Sequence, residues 1–330
     1  DFVGVIPCMS GHAQTESVVA LTNVVAIMVR KDQYPELIMK NTPVAMKIVR
    51  AFAHDMRSLN DNLTKITLKK TIIDSPEELF KIADYYENSG HTDVATYGYY
   101  QYLKECPRGP KSEDAKRRFS SLKPRSKAVY FEATNELVRS YPRGTMIFSE
   151  CQHGSDHAEV TLALLKKGDM FGEMALLENK PRSASAIAHD NCRLMTINRA
   201  NFDQMVATQP QMISRLTIMF ADRLWGLYRQ LVNTQFREPR EKMIDMLALQ
   251  IEKQKINAVR GMTFMTDLTI SDLVNLCGLP PEYETQAVYQ LQSDQNVRIV
   301  DGKINIPDVM ELIRQAAFYR KQNNRRAKEQ

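Results

Sequence analysis

The sequence has few cysteines and no pair of them at the spacing of a redox or metal motif. Five cysteines are scattered through 330 residues: Cys8, Cys106, Cys151, Cys192 and Cys277. An odd, scattered set favours reduced thiols in a cytoplasmic protein over a disulfide framework. The six histidines show no ligand spacing either, so we predict no metal site.

Long apolar runs and catalytic motifs are also missing. No apolar run approaches the roughly 18 residues that a membrane-spanning helix needs, and no signal peptide opens the chain. No Ser–His–Asp, Cys–His or paired-carboxylate arrangement is visible. We therefore expect a soluble cytoplasmic protein that binds no membrane and is not an enzyme.

The composition is that of an ordinary globular protein, with 43% hydrophobic and 25% charged residues. The length predicts about two to four domains. The net charge of +5 is unevenly distributed, because residues 108–127 hold eight basic and two acidic residues and residues 314–330 hold six and one. We interpret the first segment as a basic linker and the second as a basic tail.

The most specific pattern is the stretch from Phe171 to Ser185, FGEMALLENKPRSAS. A glycine turn and a helix start offer backbone N–H groups to an anion. Arg182 can bind two phosphate oxygens, and Ser183 can donate one more hydrogen bond. Glu173 suits a different partner, because a carboxylate accepts hydrogen bonds, as from sugar hydroxyls. A phosphate and a sugar hydroxyl on one ligand describe a nucleotide.

The stretch resembles the phosphate-binding cassette of cyclic-nucleotide-binding domains, which occur in catabolite-activator-type (Crp/Fnr) regulators and kinase regulatory subunits. The family pattern is F-G-E, a short apolar helix and P-R-S/T-A, and seven of its residues stand here at fixed spacing. By resemblance, Glu173 binds the ribose 2′-hydroxyl, and Arg182 and Ser183 bind the cyclic phosphate. The ligand-binding residues it implies are Phe171, Gly172, Glu173, Met174, Ala175, Arg182, Ser183 and Ala184. The alternative is a chance turn and helix with an exposed arginine.

The resemblance implies a cyclic mononucleotide, cAMP or cGMP, as effector and no metal cofactor. Ser183 with Ala184 does not exclude guanine, and base contacts are expected from the helical pattern around Asp222 to Arg229. A cyclic dinucleotide is a further alternative, because related regulators are known to switch ligands.

The start of the chain aligns with this stretch at a fixed offset of 168 residues. Matched pairs include Gly4 with Gly172, Asn23 with Asn191, Tyr34 with Phe202, Ala53 with Ala221 and Leu63 with Leu231. A constant register with matched apolar positions indicates an internal repeat of one domain.

The first copy lacks the charged residues of the second. Val5 stands at the position of Glu173, and Gln14 stands at the position of Arg182. Each lost hydrogen bond to a charged group costs about 1.5–3 kcal/mol, so we predict binding weaker by roughly a hundredfold or more. This copy also begins midway, and we expect its first strands to precede Asp1.

A long helical pattern follows each cassette, over Pro43 to Leu63 and over Phe202 to Phe236. The second resembles the dimerisation helix of the family, and its alternative is a helix packed on its own domain. Either two chains form a homodimer, or the two helices pair within one chain.

The segment between the two copies has a helical sequence pattern. Ser75-Pro76 predicts a helix start, and Ala83, Tyr86, Gly90, Ala95, Tyr99 and Pro107 have the spacing of a single tetratricopeptide repeat. We interpret it as a helical spacer, with a scaffold site as the less favoured use. Copy two then opens at Tyr141 to Phe148, but two family strands are missing before Val160 to Leu165, so we suspect omitted residues near Asp156–His157.

The C-terminal part resembles the winged helix–turn–helix of catabolite-activator-like regulators. A helix from Thr269, a turn at Cys277 to Pro280, a helix over Glu282 to Gln292 and a hairpin with the turn Asp301-Gly302 are predicted. The candidate DNA-binding residues are Gln286, Gln290 and Lys303. The two prolines and two acids at the start of the second helix are unfavourable for phosphate contact.

The predicted fold is therefore α+β: two cyclic-nucleotide-binding β-rolls (jelly rolls), each followed by a long helix, with a helical spacer and a C-terminal winged helix. The predicted domains cover residues 1–68, 69–128, 129–236, 237–313 and 314–330. The leading functional hypothesis is a cyclic-nucleotide receptor that regulates transcription through DNA. The alternative is a cyclic-nucleotide-responsive scaffold that binds proteins and not DNA.

Overall fold

The computed structural model describes residues 2–14, 17–68, 76–88, 90–126, 138–148, 164–178, 184 and 186–328. The chain divides into two units. The first consists of Asp1–Lys70, His157–Asp169 and Ile213–Gln330, and the second of Thr71–Asp156 and Met170–Met212. The first unit therefore combines the beginning of the chain with its C-terminal part, although the second unit lies between them in the sequence.

The first segment of the chain contains three helices, α1 (Val5–Ser10), α2 (Tyr34–Lys40) and α3 (Thr42–Leu68). The predicted helix over Pro43 to Leu63 is confirmed within α3. Its buried side chains recur at helical spacing because one face packs into a core: Ala45, Ile48, Val49, Phe52, Ala53 and Met56.

Three helices follow in the second unit, α4 (Pro76–Asn88), α5 (Thr92–Glu105) and α6 (Ser112–Leu122). The predicted start of the first helix is confirmed at Pro76, while Ser75 lies outside the described residues. A β-carbon added at Gly98 would lie 2.9 Å from that of Ala83, so small residues allow α4 and α5 to approach closely. Tyr99 and Tyr102 are fully buried in the core that these helices share.

The second half of this unit contains short strands and two helices. They are β1 (Val138–Tyr141), β2 (Met146–Phe148), α7 (Glu173–Glu178), β3 (Ala186–Ile187), β4 (Cys192–Met195) and α8 (Arg199–Thr208). β1 pairs with β4 and β2 pairs with β3, both antiparallel. The predicted strand up to Leu165 is not seen in its two described residues, Leu164 and Leu165, and Asp156–His157 lie outside the described residues.

The first of the two predicted β-rolls is not seen in the described residues 17–30. They form neither a helix nor a strand, and apolar side chains such as Leu21 and Val25 are almost fully exposed. A strand needs a partner for its backbone N–H and C=O groups. Residues 17–30 pair with no strand in the described part of the chain.

The helical pattern from Phe202 to Phe236 is two helices, not one. α8 ends at Thr208, and α9 runs over Pro210–Thr234. Pro210 explains the break, because proline has no N–H to donate and its ring excludes a continuing helix, whereas it fits the first turn of a new one. α10 (Pro239–Lys253) follows and is buried along most of its length.

The C-terminal part has the predicted order of helix, turn, helix and hairpin. Its elements are β5 (Phe264–Thr269), α11 (Ile270–Leu276), α12 (Glu284–Gln292), β6 (Arg298–Val300), β7 (Lys303–Ile306) and α13 (Val309–Lys328). Asp301 and Gly302 both have positive φ, as a two-residue hairpin turn requires. α12 begins two residues later than predicted, because Pro281–Tyr283 forms a 3-10 turn.

Thr269 is the N-cap of α11. Replacing it tests how much this cap stabilises the fold. Its hydroxyl accepts from the Asp272 N–H at 3.1 Å, and the Asp272 carboxylate accepts from the Thr269 N–H at 2.8 Å. We expect Thr269→Ala to lower the free energy of unfolding by about 1 kcal/mol, measured by urea denaturation. Thr285→Ala, at an exposed position, is the control, and an equal loss there would contradict the capping role.

Candidate functional site

The centre of the candidate site is the junction between Gly172 and α7. Gly172 has φ of 77°, a conformation that L side chains rarely adopt, and turns the chain directly into the helix. Glu173 is the first helical residue and is 3% exposed. Met174 is also buried, while Phe171 and Ala175 are half-buried. A buried carboxylate at this position needs polar groups around it, because an unpaired buried charge is costly.

The phosphate-binding half of the predicted cassette lies largely outside the described residues. Arg182 and Ser183 belong to the gap 179–183, while Ala184 is described and half-buried. The chain then enters β3, which pairs with β2. The structure thus brings Phe171, Gly172, Glu173, Met174 and Ala175 together, and the sequence connects them to Arg182 and Ser183 through a short segment.

The turn between β1 and β2 forms hydrogen bonds with residues that follow β3. The Gly144 N–H donates to the Ala188 carbonyl at 2.7 Å, and the Ala188 N–H donates to the Thr145 carbonyl at 2.8 Å. Asn191 accepts from the Arg143 N–H at 2.9 Å. Thr145 and Ala188 are both buried. These bonds hold the strand that follows the predicted phosphate-binding residues.

Arg199 connects α7 to α8, a role that the sequence pattern did not indicate. Its guanidinium donates to the Leu176 carbonyl near the end of α7 at 2.7 Å and lies 3.6 Å from Asp203 on its own helix. The bond satisfies a carbonyl that a short helix leaves without an internal partner. Arg199 thus joins the end of α7 to the start of α8.

The beginning of the chain has the same local geometry without the acid. Gly4 has φ of 71° and precedes the six-residue helix α1, as Gly172 precedes the six-residue helix α7. Val5 occupies the first helical position, where the second half has Glu173. A valine cannot accept a hydroxyl hydrogen bond.

The candidate nucleic-acid contacts lie on α12 and the hairpin. Gln286 and Lys303 are exposed. Gln290 is half-buried and lies near the Tyr283 hydroxyl. Burial raises the pKa of this tyrosine, and Gln290 opposes the shift. Gln290 is therefore less available for base contact than predicted, whereas Tyr289, which the sequence analysis missed, is 75% exposed on the outer face of α12.

The basic residues at the end of the chain lie on a helix. α13 extends to Lys328, so most of the predicted tail, 314–330, is helical. Arg320 binds Asp245 at 2.8 Å and Glu252 at 2.9 Å, and Arg326 lies 3.6 Å from Glu241. These contacts engage two of the tail's cations within the protein.

The described part of the chain has neither a metal-ligand cluster nor a membrane-spanning helix. It contains no group of three or more His, Cys, Asp or Glu side chains arranged to hold a metal ion. None of its helices combines the length and apolarity that crossing a bilayer requires.

Comparison with known proteins places these features in a family. The model of the cyclic nucleotide-binding domain matches residues 149–209, which include Glu173, Arg182 and Ser183. The cyclic AMP receptor protein of Thermus thermophilus is 28% identical over 160 residues, covering 48% of this chain and 70% of that protein. The cAMP-activated global transcriptional regulator CRP of Pasteurella multocida is 34% identical over 149 residues, covering 45% of this chain and 70% of that protein.

This chain belongs to the CRP/FNR family of cyclic-nucleotide-binding regulators. A solved CRP/FNR-family transcriptional regulator of Thermus thermophilus superposes on it with a TM-score of 0.40 and 20% identity, covering 55% of this chain and 98% of that one.

Proposed function

We propose that the chain is a cyclic-nucleotide receptor whose binding site lies in its second half and whose output is made by the C-terminal helices. The observation that carries the proposal is Glu173, which is buried at the first position of α7 directly after the left-handed Gly172. This carboxylate lies within the segment that matches the cyclic nucleotide-binding domain.

The proposed roles follow from the chemistry of each group. Glu173, as a carboxylate, accepts a hydrogen bond from the ribose 2′-hydroxyl. Arg182 donates two bonds to the cyclic phosphate, and Ser183 donates one. Phe171, Gly172, Met174, Ala175 and Ala184 shape the pocket around these contacts.

Cyclic AMP is the ligand we propose first, because the relatives from Thermus and Pasteurella are named as a cyclic AMP receptor and a cAMP-activated regulator. Cyclic GMP is the alternative, since the Ser183-Ala184 pair does not exclude guanine. Competition between the two ligands at one site, followed by calorimetry, measures the preference.

The effect of ligand binding would pass along the chain from α7 through α8 to the start of α9. Arg199 ties α8 to the Leu176 carbonyl of α7, and α9 begins two residues after α8 ends. The ligand shifts this arrangement only by its differential affinity for the two conformations. A cassette that moves α7 therefore biases the position of α8 and, through it, the start of α9.

For the output, we propose that α12 binds DNA as the second helix of a winged helix–turn–helix. Its exposed face carries Thr285, Gln286 and Tyr289, while Arg298 and Lys303 are exposed on the hairpin. Glutamine reads adenine through two hydrogen bonds, and basic residues bind phosphates.

The second candidate function is a protein-interaction scaffold with the same nucleotide input. The observation that favours it is Tyr289, which is 75% exposed beside the acidic start of α12. Exposed tyrosines are frequent in protein interfaces, and acids next to the reading face repel a phosphate backbone.

The two candidate functions differ in what Gln286→Ala does. We expect the wild-type protein with cyclic AMP to enrich particular duplexes from a random-sequence pool. Gln286→Ala should then weaken binding to an enriched duplex by about 1–3 kcal/mol, as measured by fluorescence anisotropy, because a bidentate base contact is lost.

The exposed Gln235→Ala serves as the matched control. If the pool shows no enrichment, or if Gln286→Ala leaves both affinity and salt dependence unchanged, the scaffold is the better account.

A further inference from the structure

The helices of the first and second halves follow one another at the same offset along the chain. α1 begins at Val5 and α7 at Glu173; α2 ends at Lys40 and α8 at Thr208; α3 begins at Thr42 and α9 at Pro210. Each pair is separated by 168 residues. This agreement supports the internal repeat, and it makes α3 the counterpart of α9.

α9 is buried by other parts of the same chain. Between Ile213 and Asn233, side chains on every side of the helix are buried: Ile213, Leu216, Phe220, Ala221, Leu224, Trp225, Leu227, Gln230 and Asn233. Its large apolar side chains that remain exposed are Ile218 and Val232, which lie about 21 Å apart along the helix axis. A helix that pairs with a second copy needs a continuous apolar stripe on its open side, and α9 offers none.

The first segment of the chain supplies part of this cover. The Tyr34 hydroxyl donates to the Thr217 hydroxyl at 3.2 Å in a buried contact. The His12 ring stacks on the Trp225 ring, with centroids 3.7 Å apart and planes inclined by 12°. Thr217 and Trp225 lie eight residues apart on one face of α9, so contact is made at points separated by about two helical turns.

His12 also contacts the carboxylate of Asp222. Its imidazole lies 3.4 Å from the Asp222 carboxylate, its side chain is 9% exposed, and Lys255 binds the same carboxylate at 3.0 Å. Ile6 of α1 packs against the core formed by α10 and the C-terminal helices. The loop that follows α1 corresponds by the offset to the phosphate-binding loop of the second half. In the first half it binds protein groups.

We infer that the first segment, residues 2–68, is the partner of α9 within the same chain and takes the place that a second subunit would have along this helix. The loop around His12, at the position of a ligand-binding loop, has become the docking contact. The protein then functions as a single chain, and α9 makes no pair with α9 of another copy. The inference stands on the contacts of the first unit and is independent of the nucleotide proposal.

Acidification is expected to weaken this docking. Burial lowers the pKa of His12 below its ordinary value of 6.5, with Lys255 acting in the same direction and Asp222 and Glu252 opposing. The docked state therefore prefers neutral imidazole. Its contribution is complete above 6.5 and is lost as the pH falls through the lowered pKa of the docked histidine.

Light scattering and hydrogen exchange on the full chain test the pairing directly. We expect the mass of one chain, together with slow exchange of the α9 amides that does not change on dilution. A mass of two chains, with α9 protection that is lost as the protein is diluted, would overturn the inference, because a second copy would then be covering the helix.

Trp225 is the only tryptophan in the sequence and reports on the docking contact without any label. Protonation of the stacked imidazole, and its release from the contact, both change the environment of the indole. We therefore expect the wild-type emission to change with a midpoint below 6.5 and the emission of His12→Gln to be independent of pH over the same range.

His189→Gln is the matched control, because His189 is exposed and lies in the second unit. It should titrate like the wild type. A titration that persists unchanged in His12→Gln, or a wild-type emission without pH dependence, would contradict the stacked contact.

Discussion

Glu173→Gln is expected to weaken cyclic AMP binding to the full chain by roughly tenfold to a hundredfold. The change keeps the size of the side chain and removes its charge, so a charge-assisted hydrogen bond from the ribose is lost. Such bonds contribute about 1.5–3 kcal/mol. Isothermal titration calorimetry of the wild type and the variant at one salt concentration measures the ratio.

Glu178→Gln is the matched control for this experiment. Glu178 is the last residue of the same helix α7, and the substitution removes the same charge. It should leave the affinity within about threefold of the wild type, since it makes no proposed ligand contact. Equal losses in both variants, or no loss in Glu173→Gln, would show that the carboxylate of Glu173 does not bind the ligand.

Asp245→Ala is expected to lower the free energy of unfolding by about 3–5 kcal/mol. Asp245 is fully buried on α10 and binds Arg229 at 3.2 Å, Asn233 at 3.0 Å and Arg320 at 2.8 Å. It thereby joins α9, α10 and α13. Removing it deprives the guanidinium groups of Arg229 and Arg320 of a negatively charged partner. A buried charge without its partner is among the most costly defects in a protein core.

Chemical denaturation of the variant measures this loss, and an exposed ion pair provides the comparison. Glu311 and Arg314, also on α13, lie 3.6 Å apart, and both side chains are more than half exposed. Glu311→Ala should cost less than about 1 kcal/mol. If Asp245→Ala costs no more than Glu311→Ala, the network does not hold the three helices together.

Local signals in the sequence predicted the elements that a few neighbouring residues determine. Gly172 and Glu173 stand at the start of a helix, and Asp301-Gly302 forms the hairpin turn, because backbone conformation at these points depends on residue type. The helix over Pro43 to Leu63 was predicted from its apolar spacing and is part of α3. Pro210 predicts the break between α8 and α9, because proline opens a helix and breaks a continuing one. The pattern from Phe202 to Phe236 was nevertheless interpreted as one helix.

Contacts between distant parts of the chain could not be predicted in the same way. His12 and Trp225 are separated by most of the sequence, and no spacing rule connects an imidazole to an indole. Arg320 was interpreted as part of a basic tail on composition, but its acidic partners lie on another helix. Arg199 is an exposed residue, and its bond to Leu176 follows from how α7 and α8 pack.

The candidate binding site is a prediction from residue types together with the family resemblance. The structure places the carboxylate of Glu173 in a buried position at a glycine-led helix start. Arg182 and Ser183 lie outside the described residues, so their roles remain predictions from the family pattern. For the first half, Val5 at the start of α1 is the residue that argues against a second competent site.

Calorimetric titration of the full chain with cyclic AMP, beside an Arg182→Ala variant, tests the central claim most directly. The account predicts one binding site per chain in the wild type and loss of that binding in the variant. A second equivalent site, or binding that survives in Arg182→Ala, would contradict the claim that a single competent pocket lies in the second half. No binding by the wild type would contradict the proposed ligand.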